Sequence, residues 1–278
     1  MKISQLLKQA STELLQVSDS ASLDARVLLC HAMDKDFTYL IAHGNDEVSE
    51  DILSAYSEMV SKRKAYMPVS YITNKREFMS MEFCVDERVL IPRADTEILV
   101  EKAVELIGEN KSSVLDMCCG SGCIGLSVKK YCKNISLTLA DISEGALAVT
   151  KINADKHFPG NNINFVQTDL FENIDGKFDF ILTNPPYISF DEMKTLQKDI
   201  LEYEPRNALE AENDGLFFYE KIISQAGEYL NSGGYVICEI GCTQADAVIK
   251  IFKDNGYTDT EVLKDYAGLD RVVLGKKK

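Results

Sequence analysis

The feature that most constrains the fold is an alternation of short apolar runs with longer amphipathic ones, which begins near residue 93. Short strand-like runs lie at residues 113–117, 137–140, 163–166, 178–183 and 235–240, and helical periodicity covers 95–107, 124–131, 144–157, 215–230 and 244–252. Strands that alternate with helices in this way predict a parallel sheet with helices on both faces. We therefore predict an α/β domain over residues 93–278.

The residues before this domain show a different sequence pattern. Apolar residues recur at helical spacing through residues 1–66, which predicts a small all-helical domain with Ser20 (or Ser22) and Ser49 as helix N-caps. From Pro68 onward, β-branched and aromatic residues cluster in segments separated by turn residues; these segments are 69–72, 77–85 and 88–91. We expect residues 67–92 to form a β-hairpin that joins the two domains.

The composition argues against several classes of function. With 44 acidic and 30 basic residues, the net charge is −14, which opposes general binding to a nucleic-acid backbone. No apolar run approaches the ~20 residues that span a bilayer, and the N-terminus lacks the apolar core of a secretory signal. The eight cysteines form no C-x-x-C pair. We expect a cytoplasmic protein with reduced cysteines, no metal site and no membrane association.

The first segment with chemical content directly follows the strand at 113–117. It reads Cys118-Cys119-Gly120-Ser121-Gly122 and leads into a helix. Closely spaced glycines let a ligand approach the backbone, and free amides at a helix start favour a carboxylate or a phosphate. On its own, the segment is equally consistent with a tight packing turn that binds nothing.

Acidic residues after the next two strands favour a nucleoside ligand. Asp141 ends the second strand, about twenty residues after the glycine loop, where acids meet ribose hydroxyls in nucleoside-binding α/β folds. The alternative is that Asp141 or Ser143 caps the following helix. Asp169 ends the third strand, where it could contact an adenine ring, and Leu170-Phe171 could cover the face of that ring. The loop and the acid together favour nucleoside binding.

The most specific segment is Asn184-Pro185-Pro186-Tyr187, at the carboxyl end of the fourth strand. Two prolines fix φ and donate no N–H groups, so the loop is rigid and presents bare carbonyls. The Asn184 side-chain oxygen and the Pro185 carbonyl suit the two N–H groups of a planar NH2, while Tyr187 packs against it. A lone Pro-Pro is commonly only a turn, but this position in an open α/β sheet favours a functional site.

These residues carry a resemblance to a known family. Asn184 to Tyr187 resembles the NPPY motif of amino-methyltransferases, and nearly the whole chain resembles the HemK/PrmC family, which methylates the glutamine N5 of the Gly-Gly-Gln motif in peptide chain release factors. Further similar segments are Pro68 to Ile72, Leu90 to Glu97, Glu204-Pro205-Arg206, Asp214-Gly215-Leu216, Glu239-Ile240-Gly241 and Asp270-Arg271-Val272. The chain departs from the family pattern at Ala94 (proline), Ser70 (glutamine) and Cys118, which replaces the first glycine of GTGSG.

The resemblance implies a seven-stranded Rossmann-like class I methyltransferase sheet, with a small N-terminal all-helical domain joined by a β-hairpin. It also implies S-adenosyl-L-methionine as methyl donor, a release factor as protein partner in translation termination, and substrate recognition by the helical domain. The implied donor-binding residues are Cys118, Cys119, Gly120, Ser121, Gly122, Asp141, Asp169, Leu170 and Asn184. The implied substrate-binding residues are Arg93, Asn184, Pro185, Pro186 and Tyr187, of which Asn184, Pro185 and Tyr187 act in catalysis.

Three alternatives stay open at this point. A glutamine on a ribosomal protein offers the same acceptor group. Adenine also carries a planar NH2, but the net charge and the lack of a basic, aromatic-rich module disfavour a nucleic-acid methyltransferase. A non-catalytic cofactor-binding protein is disfavoured by the intact 184–187 loop, because a binding module needs no clamp for an amide.

Overall fold

The computed structural model describes residues 1–278 and divides them into two compact units. The first, which we call the helical unit, comprises Met1–Lys75 and the separate segment Gln197–Tyr203; the second, the sheet unit, comprises Arg76–Leu196 and Glu204–Lys278. None of the helices combines the length and apolar character that a membrane crossing requires.

Twelve α-helices and nine strands make up the chain. The helices are α1 (Ile3–Leu14), α2 (Ala21–Met33), α3 (Phe37–Ala42), α4 (Glu50–Lys64), α5 (Val69–Thr73), α6 (Glu97–Ile107), α7 (Cys123–Tyr131), α8 (Glu144–His157), α9 (Phe190–Met193), α10 (Lys198–Tyr203), α11 (Phe217–Tyr229) and α12 (Ala245–Asp254). The strands are β1 (Lys75–Phe78), β2 (Met81–Cys84), β3 (Ser112–Met117), β4 (Ile135–Asp141), β5 (Asn164–Gln167), β6 (Phe178–Thr183), β7 (Leu230–Glu239), β8 (Thr258–Lys264) and β9 (Asp270–Lys276). Short 3-10 helices lie at Ala94–Thr96 and Arg206–Ala208.

The helical unit packs α1, α2 and α4 around a leucine-rich core, as the periodicity of residues 1–66 predicted. Ser20 and Ser49 stand at the N-cap positions of α2 and α4. Within this unit, the buried Arg63 guanidinium lies 2.8 Å from Asp24 Oδ2 and 3.8 Å from Asp199 Oδ2 on α10. Because a buried cation needs partners, Arg63 ties α4 to α2 through Asp24 and to α10 through Asp199.

The predicted strand at residues 69–72 is wrong, because this segment forms the short helix α5. Pro68 stands at its N-cap, and Asn74 ends it in the left-handed conformation with φ 53°. Burial of Tyr71 and Thr73 on one turn outweighs the strand preference of the β-branched residues. Residues 88–91 form no strand either.

The two-stranded sheet consists of β1 and β2 instead. Met79 and Ser80 connect the two strands, with φ values of 49° and 54°. Positive φ at both central residues is the geometry of the tight hairpin turn whose twist matches the flanking strands.

The seven-stranded sheet of the sheet unit has the order β5-β4-β3-β6-β7-β9-β8, with β9 antiparallel to both its neighbours and the other paired strands parallel. The predicted mostly parallel α/β sheet is therefore confirmed. The chain order reverses between β3 and β6, which pair directly. In open α/β sheets, ligands bind at the carboxyl ends of the strands where the order reverses. This topology brings the loops after β3, β4 and β6 to one edge.

Candidate active site

The segment Cys118–Gly122, which we call the donor loop, connects β3 to α7. Three of its five residues have positive φ: Cys118 at 59°, Gly120 at 54° and Gly122 at 78°. The Cys119 amide donates to the Ala140 carbonyl of β4 at 3.0 Å, and the Gly122 amide donates to the Cys119 carbonyl at 2.7 Å. Two side chains of α8 also hold the loop, because the Thr150 hydroxyl donates to the Gly120 carbonyl at 2.6 Å and Asn153 Nδ2 donates to the Ser121 carbonyl at 2.9 Å.

Two of the loop positions explain the family's glycine pattern. At Gly122 a Cβ atom would lie 2.7 Å from Thr150 Cγ2, so a side chain there would clash as well as strain the backbone. At Cys118 an L-residue takes the left-handed conformation that glycine adopts freely. The cysteine therefore leaves the course of the backbone intact, at a cost in conformational strain.

Asp141 holds the donor loop from the end of β4. Its Oδ2 accepts from the Gly120 amide at 2.9 Å and its Oδ1 accepts from the Ser143 amide at 2.9 Å. Burial raises the pKa of its carboxyl group, against these hydrogen bonds. The cap of α8 is Ser143, whose hydroxyl accepts from the Ala146 amide at 3.1 Å. Ser143, and not Asp141, therefore caps α8, which excludes the alternative role considered for Asp141.

Asp116 is a buried acid beside this loop that the sequence interpretation missed. Its Oδ2 accepts from the Gly125 amide of α7 at 2.8 Å, while Oδ1 has no hydrogen-bond partner. Complete burial raises the pKa of the Asp116 carboxyl group to about 7. Its place on β3 in front of the glycines was the signal that could have identified it.

The segment Asn184–Tyr187, which we call the acceptor loop, follows β6. Both prolines are buried, whereas Asn184 and Tyr187 are half-buried. The Tyr187 hydroxyl donates to Glu239 Oε1 at 3.2 Å, and the Tyr187 carbonyl accepts from Gln244 Nε2 at 3.1 Å. Side chains from distant parts of the sequence therefore support this loop.

A cavity of about 330 Å³ in the sheet unit brings the two loops together. Its lining includes these predicted residues: Arg93, Cys118, Cys119, Gly120, Ser121, Asp141, Asp169, Leu170, Asn184 and Pro186. Gly122, Pro185 and Tyr187 lie outside the lining. The lining also contains Thr96, Asn207, Phe217 and Phe218, which the sequence interpretation did not select. The volume is typical of sites for small organic ligands.

Two features of the cavity fit a polar ligand. No atom lies within 4 Å of the place where a Cβ of Gly120 would stand, so the loop backbone is open to a ligand. The hydroxyls of Ser121 and Thr96 are buried and have no hydrogen-bond partner in the protein. Because buried polar groups are normally paired, the Ser121 hydroxyl is available to a polar ligand, whereas the Thr96 hydroxyl faces the Glu239 carboxyl group.

Arg93 borders the cavity but is already paired. Its Nη2 lies 2.5 Å from Oε1 of the buried Glu204, whose Oε2 accepts from the Ile91 amide at 3.1 Å. The segments Leu90–Glu97 and Glu204–Arg206, which are separate in sequence, thus meet through this ion pair. A free contact of the guanidinium with a ligand would use its remaining N–H groups.

Comparison with known proteins gives consistent matches along the chain. The PrmC N-terminal domain family matches residues 5–73, and the methyltransferase small domain family matches residues 94–212. A release factor glutamine methyltransferase of Clostridium acetobutylicum is 40% identical, over 99% of this chain and 98% of its own length. Another, of Aliivibrio fischeri, is 36% identical over 99% and 98%. Among solved structures, a methyltransferase from Pyrococcus furiosus has a similar fold, with a TM-score of 0.55 and 16% identity, covering 81% of this chain and 98% of that one.

Proposed function

The chain belongs to the release factor glutamine methyltransferase family, and from this premise we propose that it methylates a peptide chain release factor. The methyl group passes from S-adenosyl-L-methionine to the N5 side-chain amide of the glutamine in the Gly-Gly-Gln motif. The observation that carries the proposal is that the donor loop and Asn184 of the acceptor loop border one cavity. A methyl donor and a planar amide held there would be adjacent.

The residues around the donor loop would hold the cofactor. The backbone of Cys118–Gly122 would receive its carboxylate end, and the Asp141 carboxylate would accept from the ribose hydroxyls. Asp141 has lone pairs left for this, because each of its oxygens accepts a single backbone amide. Asp169 and Leu170 would contact the adenine. The cofactor supplies an electrophilic methyl group, so the protein contributes mainly position and polarity.

The acceptor loop would orient the glutamine amide. Asn184 Oδ1 and the Pro185 carbonyl would each accept one N–H, while Pro186 and Tyr187 pack against the planar group. An amide nitrogen is a poor nucleophile because its lone pair is delocalised into the carbonyl. Accepting both N–H groups favours the positive charge that builds on this nitrogen as the new bond forms. The surplus proton leaves after transfer, so no base must act beforehand.

Other parts of the chain receive roles from the same proposal. Residues 1–66 would recognise the release factor, residues 67–92 would link the parts, and residues 93–278 would carry out methyl transfer. Arg93, held by Glu204, would contact the substrate near the cavity. Since translation terminates in the cytoplasm, the enzyme would act there.

Incubation with radiolabelled methyl donor tests the substrate. A release factor, a mixture of ribosomal proteins and duplex DNA are offered separately, each at the same concentration. The proposal expects label on the release factor alone. Label on a ribosomal protein or on DNA, with none on the release factor, would overturn it in favour of one of the two rival substrates.

A further inference from the structure

We propose that Glu239 is a positioning residue for methyl transfer, which acts through the phenol of Tyr187. The proposal rests on the proposed function, because it assigns Tyr187 the task of packing against the acceptor amide. Glu239 contacts no reacting atom in this account. Its effect on the reaction passes through a second side chain.

The sheet register brings Glu239 next to the acceptor loop. Strand β7 pairs in parallel with β6, and Cys238 lies opposite Thr183, so Glu239 stands beside the start of the loop. Its side chain is buried, with 1% of the residue exposed. Its Oε1 accepts from the Tyr187 hydroxyl at 3.2 Å. This hydrogen bond restrains the hydroxyl end of the ring.

A second tether holds the backbone of the same tyrosine. Gln244 Nε2 donates to the Tyr187 carbonyl at 3.1 Å, and Gln244 Oε1 accepts from the Gly241 amide at 2.9 Å. Gly215 leaves the space for this arrangement, because a Cβ there would lie 2.2 Å from the Tyr187 carbonyl oxygen. Tyr187 is thus held at its main chain and at the far end of its ring.

The surroundings act on the Glu239 carboxyl group in opposite directions. Burial raises the pKa of the Glu239 carboxyl group, and the Thr96 hydroxyl and the Arg271 cation oppose this. Arg271 is shared with Asp265, at 3.0 Å, and Asp95, at 3.6 Å. Glu239 Oε2 has no hydrogen-bond partner, although the Thr96 hydroxyl is close enough to lower the pKa of this carboxyl.

An under-satisfied buried acid destabilises a fold, so its presence calls for a reason other than packing. Within the acceptor loop, the Tyr187 hydroxyl is the side-chain group that donates to the Glu239 carboxyl group, whereas the Thr96 hydroxyl, which also lowers the pKa of this carboxyl, belongs to another segment. Tyr219 donates to the main-chain carbonyl of Glu239 and would do so with any residue there. Orientation of Tyr187 is therefore the role that the geometry leaves for this carboxylate.

A double-mutant cycle tests the route through Tyr187. Glu239→Ala is expected to lower kcat on the release factor about tenfold, and Glu239→Gln, which keeps an oxygen acceptor, to recover most of that loss. In a Tyr187→Phe background, Glu239→Ala should add less than a twofold loss, because the bond is already gone. Donor affinity, measured by equilibrium binding, should stay within about threefold in all variants and reports that they are folded.

A readout without catalysis separates this proposal from the proposed function. Tyrosines labelled with 13C at the phenolic carbon are observed by NMR, and the Tyr187 signal is the one that disappears in Tyr187→Phe. Glu239→Gln should shift this signal, whereas Gln225→Glu, an exposed charge change on α11, should leave it in place. An unshifted signal, or an equal loss of kcat from Glu239→Ala in both backgrounds, would overturn the positioning role. A shifted signal in a protein that does not methylate release factors would contradict the proposed function alone.

Discussion

The donor loop and the acceptor loop follow neighbouring strands and border the same cavity, yet they are built in different ways. The donor loop owes its shape to positive φ at Cys118, Gly120 and Gly122. Backbone hydrogen bonds and the side chains of Asp141, Thr150 and Asn153 hold that conformation. The acceptor loop owes its shape to two prolines and to two side chains that hold Tyr187, Glu239 at the end of β7 and Gln244 beyond it.

The difference determines how each loop responds to substitution. A loop defined by backbone conformation accepts a side chain such as Cys118 in place of glycine, as long as the residue tolerates the left-handed region. The acceptor loop has two prolines and no such glycine conformation, and it depends on side chains 52 and 57 positions away, because Glu239 and Gln244 meet Tyr187 only in the folded sheet. Substitutions in the first should mainly change stability, and those in the second should mainly change catalysis.

The largest effect is expected for Asn184→Ala. Loss of the side-chain oxygen removes one of the two acceptors for the amide, so kcat should fall about a thousandfold, or about 4 kcal/mol. Donor affinity should change by less than about threefold. Steady-state kinetics and equilibrium binding measure the two quantities, with the exposed Asn162→Ala as control. Comparable losses of kcat and of donor affinity would contradict the claim that the acceptor loop acts on the substrate amide and not on the donor.

Gly215→Ala tests the support of the acceptor loop. Gly215 has φ 82°, and a Cβ would approach the Tyr187 carbonyl oxygen and Gln244 Nε2 at 2.2 and 2.5 Å. We expect the free energy of unfolding to fall by about 3 kcal/mol in chemical denaturation. Gly256→Ala is the matched control, with φ 79° and open space, and should cost only about 1 kcal/mol. Equal losses of unfolding free energy in the two variants would contradict close packing of Gly215 against the Tyr187 carbonyl.

Asp116→Asn tests burial beneath the donor loop through pH. Because the folded pKa of about 7 exceeds the ordinary 3.8, the unfolded chain ionises first and stability is lost as pH rises through 7. The wild-type unfolding free energy should therefore fall by about 2 kcal/mol more than that of the variant between pH 5 and 7.5. Denaturation at several pH values measures this. The exposed control Asp155→Asn should show the same pH dependence of the unfolding free energy as the wild type. If Asp116→Asn also shows it, the raised pKa of Asp116 is contradicted.

Cys118→Gly gives the smallest effect. Relief of the left-handed strain at φ 59° should raise the unfolding free energy by about 0.5–1 kcal/mol, while donor affinity changes by less than about threefold. Cys119→Gly, at a buried neighbour without positive φ, should instead destabilise the fold. A large gain of donor affinity in Cys118→Gly would contradict this account, because it would show that the cysteine side chain obstructs donor binding.

Much of the sheet unit was predictable because its signals are local. Apolar runs gave β3 to β7, and the loops after β3, β4 and β6 met at one edge because parallel strands end together. Strands β8 and β9 were reached only through the family resemblance, since polar residues interrupt β8 and the apolar run of β9, Val272 to Leu274, is short and flanked by charged residues and a glycine. Helix α5 was missed because its β-branched residues favour strands, and only packing selects the helix.

The sequence predicted the two loops of the site but not the side-chain contacts that hold them. Asp141, Asn184 and the glycines sit in motifs, so their positions were visible. The pairs Tyr187–Glu239 and Arg93–Glu204 join residues 52 and 111 positions apart, and no local pattern specifies such partners. The left-handed φ of Cys118 was hidden for the same reason, because a cysteine gives no sign of a glycine conformation.

The most direct test of the account uses the acceptor itself. A release factor and its variant with the motif glutamine replaced by glutamate are incubated with enzyme and donor, and the motif peptide is analysed by tandem mass spectrometry. Glutamate has the same shape but no N–H groups for Asn184 and Pro185 to accept. The account predicts one methyl group on the glutamine side-chain nitrogen and none on the variant. A methyl group at another residue, or on the glutamate variant, would contradict it.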